Sequence, residues 1–463
     1  MGLPIITISP GTIRWPTKAR STRILLVNPP YVGWLNDIKV EPIGLLYIAS
    51  FLRELGHEVR LYDPYIGDSE ESFIETMETW RPRIVASAVY TVSEGFCFAL
   101  ARLTKKVDPS VLFVAGGPHA SFTARRMLAK CPEIDVITHR ESEESMAAVV
   151  AAFAERFDFG GIRGISFRTD HIDERITTTP WAPLQIELDA LPVPARDLLS
   201  EKYYEKYRAA GVITARGCAY SCDFCVSPAF FKGVRQRELA LVAAEIRDLM
   251  TLRGVRHIRF YDDVFAYNEK KLAAVREHIG PLGITYDCYI RIDATTPVML
   301  KLLKESGCVQ VRFGVETGSH ERRLKHKGGR TAAFEKHREI VETCRHLGIE
   351  SQASYIFGFP DESLDDMRST IDFAQKLDTD RVGFYKLTPY PGTPYWDMLD
   401  HEHISLDDYT KFDNQVSVNS AVSSEQIFEI LTEAYVSYYS QRKIPYDRPD
   451  TLRFLTSLPK LRY

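Results

Sequence analysis

Three cysteines lie within eight residues, in the run Arg216-Gly217-Cys218-Ala219-Tyr220-Ser221-Cys222-Asp223-Phe224-Cys225. Thiolate is the usual ligand of iron–sulfur clusters. A compact loop with this spacing can aim three sulfurs at three irons of a cubane and leave the fourth iron open to another ligand. A structural zinc site is the competing use of clustered cysteine, but it takes four protein ligands in paired spacing, and no second pair stands nearby. The other five cysteines (Cys97, Cys131, Cys288, Cys308 and Cys344) are scattered through apolar or helical contexts and read as small core hydrophobes.

A thiolate loop needs a rigid support. From Gly211 to about Pro394, short apolar runs alternate with helical patterns. The predicted strands are Val212 to Ala215, His257 to Tyr261, Thr285 to Ile290, Val309 to Val315, Ser351 to Phe357 and Arg381 to Leu387. Such strand–helix units suit an incomplete (β/α) barrel, whose chemistry sits at the carboxyl ends of its strands. The cysteine loop follows the first strand directly. Asp262 and Asp263 follow the second, Arg291 the third, Glu316 the fourth and Gly358 the fifth. Adjacent acids after a strand also serve as helix caps, and an Arg or a Glu there also forms ordinary ion pairs.

A first alternating unit runs from Arg23 to about Phe153, with strands predicted at Ile24 to Val27, Val59 to Tyr62, Ile84 to Val89, Leu112 to Ala115 and Val136 to Thr138. Leu45, Ile48, Leu52 and Leu55 recur at helical spacing, and Gly56 stands where that helix would end. Open parallel sheets bind ligands beyond the carboxyl ends of their strands. Here those ends are Asn28-Pro29-Pro30-Tyr31, Ser87 to Thr91 and Gly116-Gly117-Pro118-His119. A small hairpin around Thr169 to Glu174 and the proline-spaced stretch Leu191-Pro192-Val193-Pro194-Ala195-Arg196-Asp197 connect the two units. Near the end, Ile427, Ile430, Leu431, Ala434 and Tyr438 mark one face of an amphipathic helix that packs on the barrel. The expected division is 1–19 as an extension, 20–155 as the first domain, 156–205 as hairpin and connector, 206–400 as the barrel and 401–463 as a helical tail.

The 463 residues are 45% apolar and 26% charged, which excludes a disordered or fibrous chain. The formal charge is -4, from 58 basic and 62 acidic residues, which argues against a nucleic-acid binder. No apolar run reaches the length of a membrane span, and the first residues lack the apolar core of a signal peptide, so a cytoplasmic location is expected.

The cysteine spacing after the first strand of a partial barrel, with Phe224 before the third cysteine, resembles the signature of the radical S-adenosylmethionine (SAM) enzymes. The resemblance implies a [4Fe-4S] cluster on Cys218, Cys222 and Cys225, whose open iron chelates SAM and whose reduced form cleaves it to methionine and a 5'-deoxyadenosyl radical. It implies SAM contacts from Phe224, from Asp262 or Asp263 in place of the Gly-Gly-Glu many members carry, from Arg291, from Glu316, and from Gly358 in Gly358-Phe359-Pro360. The first unit resembles the cobalamin (B12)-binding domain of the cobalamin-dependent class in Asn28-Pro29-Pro30, in Pro42-Ile43-Gly44-Leu45-Leu46-Tyr47-Ile48-Ala49, in Gly116-Gly117-Pro118-His119 and in Glu141-Ser142-Glu143. This implies cobalamin contacts from Asn28, Pro30, Tyr31, Gly44, Ser87, Tyr90, Gly116, Gly117, His119 and Glu141. The chain has no Asp-x-His-x-x-Gly, so the lower axial histidine of other cobalamin proteins is absent. His119 is the one histidine at a nearby strand end, and a locally bonded turn residue is its simpler reading.

The implied fold is α/β: a flavodoxin- or Rossmann-like cobalamin-binding parallel sheet, a partial (β/α)6 TIM-like barrel and a small helical tail. The implied activity is methyl transfer from SAM, by way of methylcobalamin, to an unactivated carbon of a small molecule, with substrate contacts from Trp34, Tyr390 and Tyr395. An external electron donor of the flavodoxin or ferredoxin type is implied as a partner. The alternative within the class is an oxidoreductase or cyclase that forms or rearranges a ring without methyl transfer. A non-catalytic cobalamin sensor is disfavoured by the full set Asp262, Arg291 and Glu316. A sulfur-inserting methylthiotransferase is disfavoured because the first unit has only Cys97 and Cys131.

Overall fold

The computed structural model describes residues 21–30, 41–155, 158–169, 176–185, 187–205, 209–400 and 416–440. The first sheet is built from β1 (Arg23–Val27), β2 (Glu58–Tyr62), β3 (Ile84–Ala88), β4 (Leu112–Gly116), β5 (Val136–Thr138), β6 (Ile165–Arg168) and β7 (Ile176–Thr178). The strand order is β2-β1-β3-β4-β5-β6-β7. The first five strands are parallel. The central strands are apolar throughout because helices cover both faces: Leu25 and Val27 of β1 enter one core layer, Ile24 and Leu26 the other. Chain order reverses between β1 and β3, so their carboxyl ends flank the switch point where such sheets bind ligands. The hairpin grouped by sequence with the connector is β6 and β7, which extend this sheet antiparallel at its edge.

The helix Ile43–Glu54 ends just before Gly56, whose φ of 89° needs a residue without a Cβ. Leu45, Ala49 and Leu52 pack on the first sheet, while Leu46 reaches the core of the second unit. One helix therefore serves two cores and fixes the units against each other.

The second unit contains β8 (Ala209–Val212), the short pair β9 (Ala215–Arg216) and β10 (Arg235–Gln236), then β11 (His257–Phe260), β12 (Thr285–Tyr289), β13 (Cys308–Glu316), β14 (Glu350–Phe357) and β15 (Arg381–Lys386). Six of these form a parallel sheet in the order β15-β14-β13-β12-β11-β8. This is the expected partial barrel, with one correction. Its first strand is Ala209–Val212, and the predicted Val212 to Ala215 is mostly the turn into β9. Small residues hid the strand. Gly211 lies under the Tyr261 ring, where a Cβ would come within 2.1 Å of a ring carbon.

The helix Ser424–Ser440 buries Ile427, Ile430, Leu431, Ala434 and Tyr438, the five residues the sequence pattern selected. It also covers the outer edge of β15. The Tyr435 hydroxyl accepts from Phe384 N (2.9 Å) and donates to Phe384 O (3.1 Å), and Tyr439 does the same at Val382. Edge-strand backbone groups that would otherwise invite another strand are satisfied in this way. Among the described residues no helix is long and apolar enough to cross a membrane.

Candidate active site

The cysteine loop begins at β9 and sits at the carboxyl end of the barrel. Gly217 adopts φ 89°, and a Cβ there would fall 2.0 Å from Gly233 O, so only glycine can start this loop. Cys218, Cys222 and Cys225 are each partly accessible, whereas the other five cysteines are buried in cores. Among the described residues no three His, Cys, Asp or Glu side chains gather tightly enough to hold one ion. Burial pushes all three thiols up, Cys225 to about 12, so iron binding must displace their protons.

Arg291 stands beside this loop. Its Nη1 donates to Cys222 Sγ at 3.4 Å, and two bonds to Asp293 (2.7 and 3.0 Å) with two more to Lys327 O and Arg330 O hold the guanidinium over the Tyr220 ring. Glu316 ends β13 at φ 73°, an uncommon conformation for a residue with a side chain. Its carboxyl folds back over Gly314, where any Cβ would collide with it. Burial pushes that carboxyl up, against the pull of Lys327 (3.9 Å) and Arg291.

The two adjacent acids separate. Asp262 turns into the barrel, accepting from Thr214 N at 2.6 Å, from the Thr214 hydroxyl and from Lys271 Nζ at 3.3 Å. It is fully occupied as a structural cap. Asp263 faces a cavity and accepts from Ser227 Oγ at 2.6 Å, and burial raises its carboxyl.

That cavity lies between the two units and contains about 1280 Å3 of empty space, part of it open to solvent. Gly44, Ser87, Tyr90, Gly116, Gly117 and Glu141 line it from the first unit; Ile213, Arg216, Phe230 and Asp263 line it from the barrel. A Cβ on Gly44 would meet nothing within 4 Å. The cavity sits at the switch point, and no histidine is among the described residues lining it. Sequence reasoning missed Arg140, Arg216 and Arg235. Arg216 donates to Glu141 (3.2 Å) and Glu143 (2.7 Å), and Arg235 grips Glu141 through both oxygens (2.6 and 2.8 Å). These pairs join the units at the cavity rim. The position of Arg216 two residues before Cys218 was the available signal.

Several expected contacts fall elsewhere. Asn28 is buried and donates to Asp63 Oδ1 (3.2 Å), and neither it nor Pro30 is among the described lining residues. Both ring nitrogens of His119 are engaged, by Thr91 Oγ1 at 3.2 Å and Glu94 Oε1 at 3.1 Å, so it makes local bonds and faces a second cavity. Tyr395 is buried and donates to Asp223 Oδ2 (2.9 Å), with His326 Nδ1 at 2.8 Å, bracing the cysteine loop instead of facing open space. Tyr390 lines the second cavity. Phe224 meets Phe359 edge-on at 6.4 Å. Tyr31 and Trp34 lie outside the described residues.

Gly358 has φ 94°, and its N–H and that of Phe359 both donate to Glu362 Oε2 (2.7 and 3.2 Å), while Glu362 Oε1 is buried without a hydrogen-bond partner among the described residues. Burial pushes this carboxyl up to about 7 from an ordinary 4.5. As pH rises through that window the unfolded chain releases its proton first, so the folded state loses about 2–3 kcal/mol by pH 8. Glu362→Gln keeps the acceptor and removes the charge. We expect it to raise Tm by a few degrees at pH 8 and leave it unchanged at pH 4.5. Equal shifts at both values would count against a buried charge here.

Comparisons with known proteins show the family and the fold. The B12 binding domain family model matches residues 38–150, and the Radical SAM superfamily model matches residues 212–374. The uncharacterized methyltransferase PH0819 of Pyrococcus horikoshii is 32% identical over 438 residues, covering 91% of this chain and 93% of that protein. The anaerobic magnesium-protoporphyrin IX monomethyl ester cyclase of Cereibacter sphaeroides is 25% identical, covering 91% of this chain and 71% of its own. Among solved structures, the cobalamin-dependent S-adenosylmethionine radical enzyme OxsB, with aqua-cobalamin and SAM bound, superimposes with a TM-score of 0.72 at 18% identity over 96% of this chain and 71% of that one.

Proposed function

Because the chain belongs to the cobalamin-dependent radical SAM enzymes, we propose that it transfers a methyl group from SAM to an unactivated carbon of a small molecule. Its cofactors are a [4Fe-4S] cluster, SAM and cobalamin. The observation that carries the reading is the cavity between the units, lined both by the switch-point strand ends and by Arg216, Gly217 and Asp263 around the cysteine loop. On this reading, cobalamin in the cavity would lie beside the loop that carries the cluster cysteines. That a relative alike over nearly its whole length is named a methyltransferase supports methyl transfer over ring closure.

When bound, these groups supply reductive cleavage of one SAM to a carbon-centred radical and relay of a methyl group from a second. The chain's own residues position them. Cys218, Cys222 and Cys225 would hold the cluster, and Arg291, pinned by Asp293, keeps positive charge beside the Cys222 sulfur. Asp263 and Glu316 would offer acidic oxygens to the SAM ammonium, and the Gly358 loop would border its adenine. Gly44, Ser87, Tyr90, Gly116, Gly117 and Arg140 would hold cobalamin, while Glu141 fixes the rim through Arg216 and Arg235. Bringing reacting groups into one enclosed space is the protein's main contribution to such chemistry. We assign the enzyme to the cytoplasm, with a flavodoxin- or ferredoxin-type protein as its electron donor.

The cyclase reading has the Cereibacter sphaeroides relative in its favour. Product counting separates the two. With cluster, cobalamin, reductant and substrate present, methyl transfer gives S-adenosylhomocysteine and 5'-deoxyadenosine in equal amounts, and omitting cobalamin stops the first. A cyclase gives 5'-deoxyadenosine alone.

A further inference from the structure

The second cavity, of about 730 Å3 and open to solvent, adjoins the first, with Tyr90 and Pro118 lining both. Val226, next to Cys225, and Tyr390 form its far wall. Besides the tyrosine side chains of Tyr90 and Tyr390, its polar lining includes the end of a chain of three groups. Glu94 is the first residue of the helix Glu94–Val107, and its Oε1 lies 3.1 Å from His119 Nε2 and 3.7 Å from Arg126 Nη1. His119 Nδ1 lies 3.2 Å from Thr91 Oγ1, and Thr91 lines the cavity. The His119 side chain is fully buried.

Hydrogen-bond polarity in this chain is determined from its buried end. A carboxylate only accepts, so His119 Nε2 carries the hydrogen. In an imidazole carrying one hydrogen, on Nε2, the other ring nitrogen Nδ1 is an acceptor. The Thr91 hydroxyl must then donate to Nδ1. Its oxygen lone pairs remain for the cavity, which therefore presents a fixed acceptor. The walls beside it are aromatic and aliphatic, and no lysine or arginine is among the described residues lining the cavity. A phosphate or carboxylate would find no counter-charge and would face an acceptor backed by Glu94.

We propose that the second cavity is the substrate pocket and that Thr91 selects an uncharged, largely apolar or aromatic molecule carrying an O–H or N–H donor. The assignment rests on the functional reading above, since that reading puts the methyl source in the adjoining cavity.

Equilibrium dialysis of the cobalamin-loaded full chain at pH 7.5 tests it with three probes of one shape: 2-naphthol, 2-methoxynaphthalene and 2-naphthoate. The alcohol is expected to bind about three- to tenfold tighter than the ether, the worth of one hydrogen bond, and the anion weakest. Thr91→Val, close to isosteric, should erase the alcohol's advantage and leave the ether unchanged. Val92→Trp, which fills the cavity, should abolish binding of both. Three results would each overturn the proposal: tightest binding of the naphthoate, a preference for the alcohol that survives Thr91→Val, or binding that survives Val92→Trp. Cobalamin retention is read separately by visible absorbance after desalting. Its loss would contradict the reading of the first cavity, while the probe ratio, repeated without cobalamin, would still decide the role of Thr91.

Discussion

Alanine at Cys222 is expected to reduce 5'-deoxyadenosine formation to the uncatalysed background and to lower bound iron well below the wild-type content. Cys222 is the middle ligand of the loop and the one sulfur that Arg291 touches. No replacement thiol is within reach, because Cys97 and Cys131 belong to the core of the first unit and Cys288, Cys308 and Cys344 to that of the barrel. The Cys222 side chain is only partly buried, so its loss should leave the melting temperature almost unchanged. Cys344→Ala is the contrasting control: it removes a fully buried sulfur, lowers stability by about 1 kcal/mol and spares the cluster. Full iron content and full SAM cleavage in the Cys222 variant would exclude this loop as the cluster site.

The largest effect on stability is expected from Arg196→Met. This connector arginine is buried and donates to Glu245 Oε1 at 2.7 Å, to Gly211 O at 2.6 Å and to Glu41 Oε2 at 3.3 Å, so one side chain binds the first unit, the connector and the barrel. Glu245 keeps a second partner in Arg237 at 2.7 Å. Glu41 has no other cation among the described ion pairs, and burial already pushes its carboxyl up. Removing the guanidinium strands a buried charge, at a cost of about 3–5 kcal/mol. Glu41→Gln in the same chain removes that charge and should recover about half of the loss. Urea melts of the two variants check this. A loss below about 1 kcal/mol, or no recovery in the double variant, would mean the network does not hold the units together.

The parts of the molecule that were legible in the sequence are local. The cysteine spacing lies within ten residues, the central strands announce themselves as apolar runs, and the tail helix shows its stripe from Ile427 to Tyr438. What escaped depends on contacts distant in the chain. Arg196 and Glu41 are 155 positions apart, and Arg216 and Glu141 are 75 apart, so no local pattern ties them. The adjacent acids Asp262 and Asp263 show a different limit. Neighbouring side chains at a strand end point in opposite directions, so one caps Thr214 while the other faces the cavity, and composition cannot say which. His119 and Tyr395 are polar residues at the right loops whose hydrogen-bonding groups are engaged by protein partners. The first barrel strand was misplaced because Ala209, Ala210 and Gly211 carry too little apolar surface to mark a strand, though their smallness is what admits the Tyr261 ring.

Methyl transfer through the joined cofactor sites is tested most directly by isotope tracing. The protein, loaded anaerobically with iron, sulfide and cobalamin, is given reductant, methyl-deuterated SAM and an extract of its source cells, and products are followed by mass spectrometry. The account predicts a product that gains an intact CD3 group, formed together with S-adenosylhomocysteine and 5'-deoxyadenosine. 5'-Deoxyadenosine without any labelled product would contradict methyl transfer and give the site to a radical oxidoreductase.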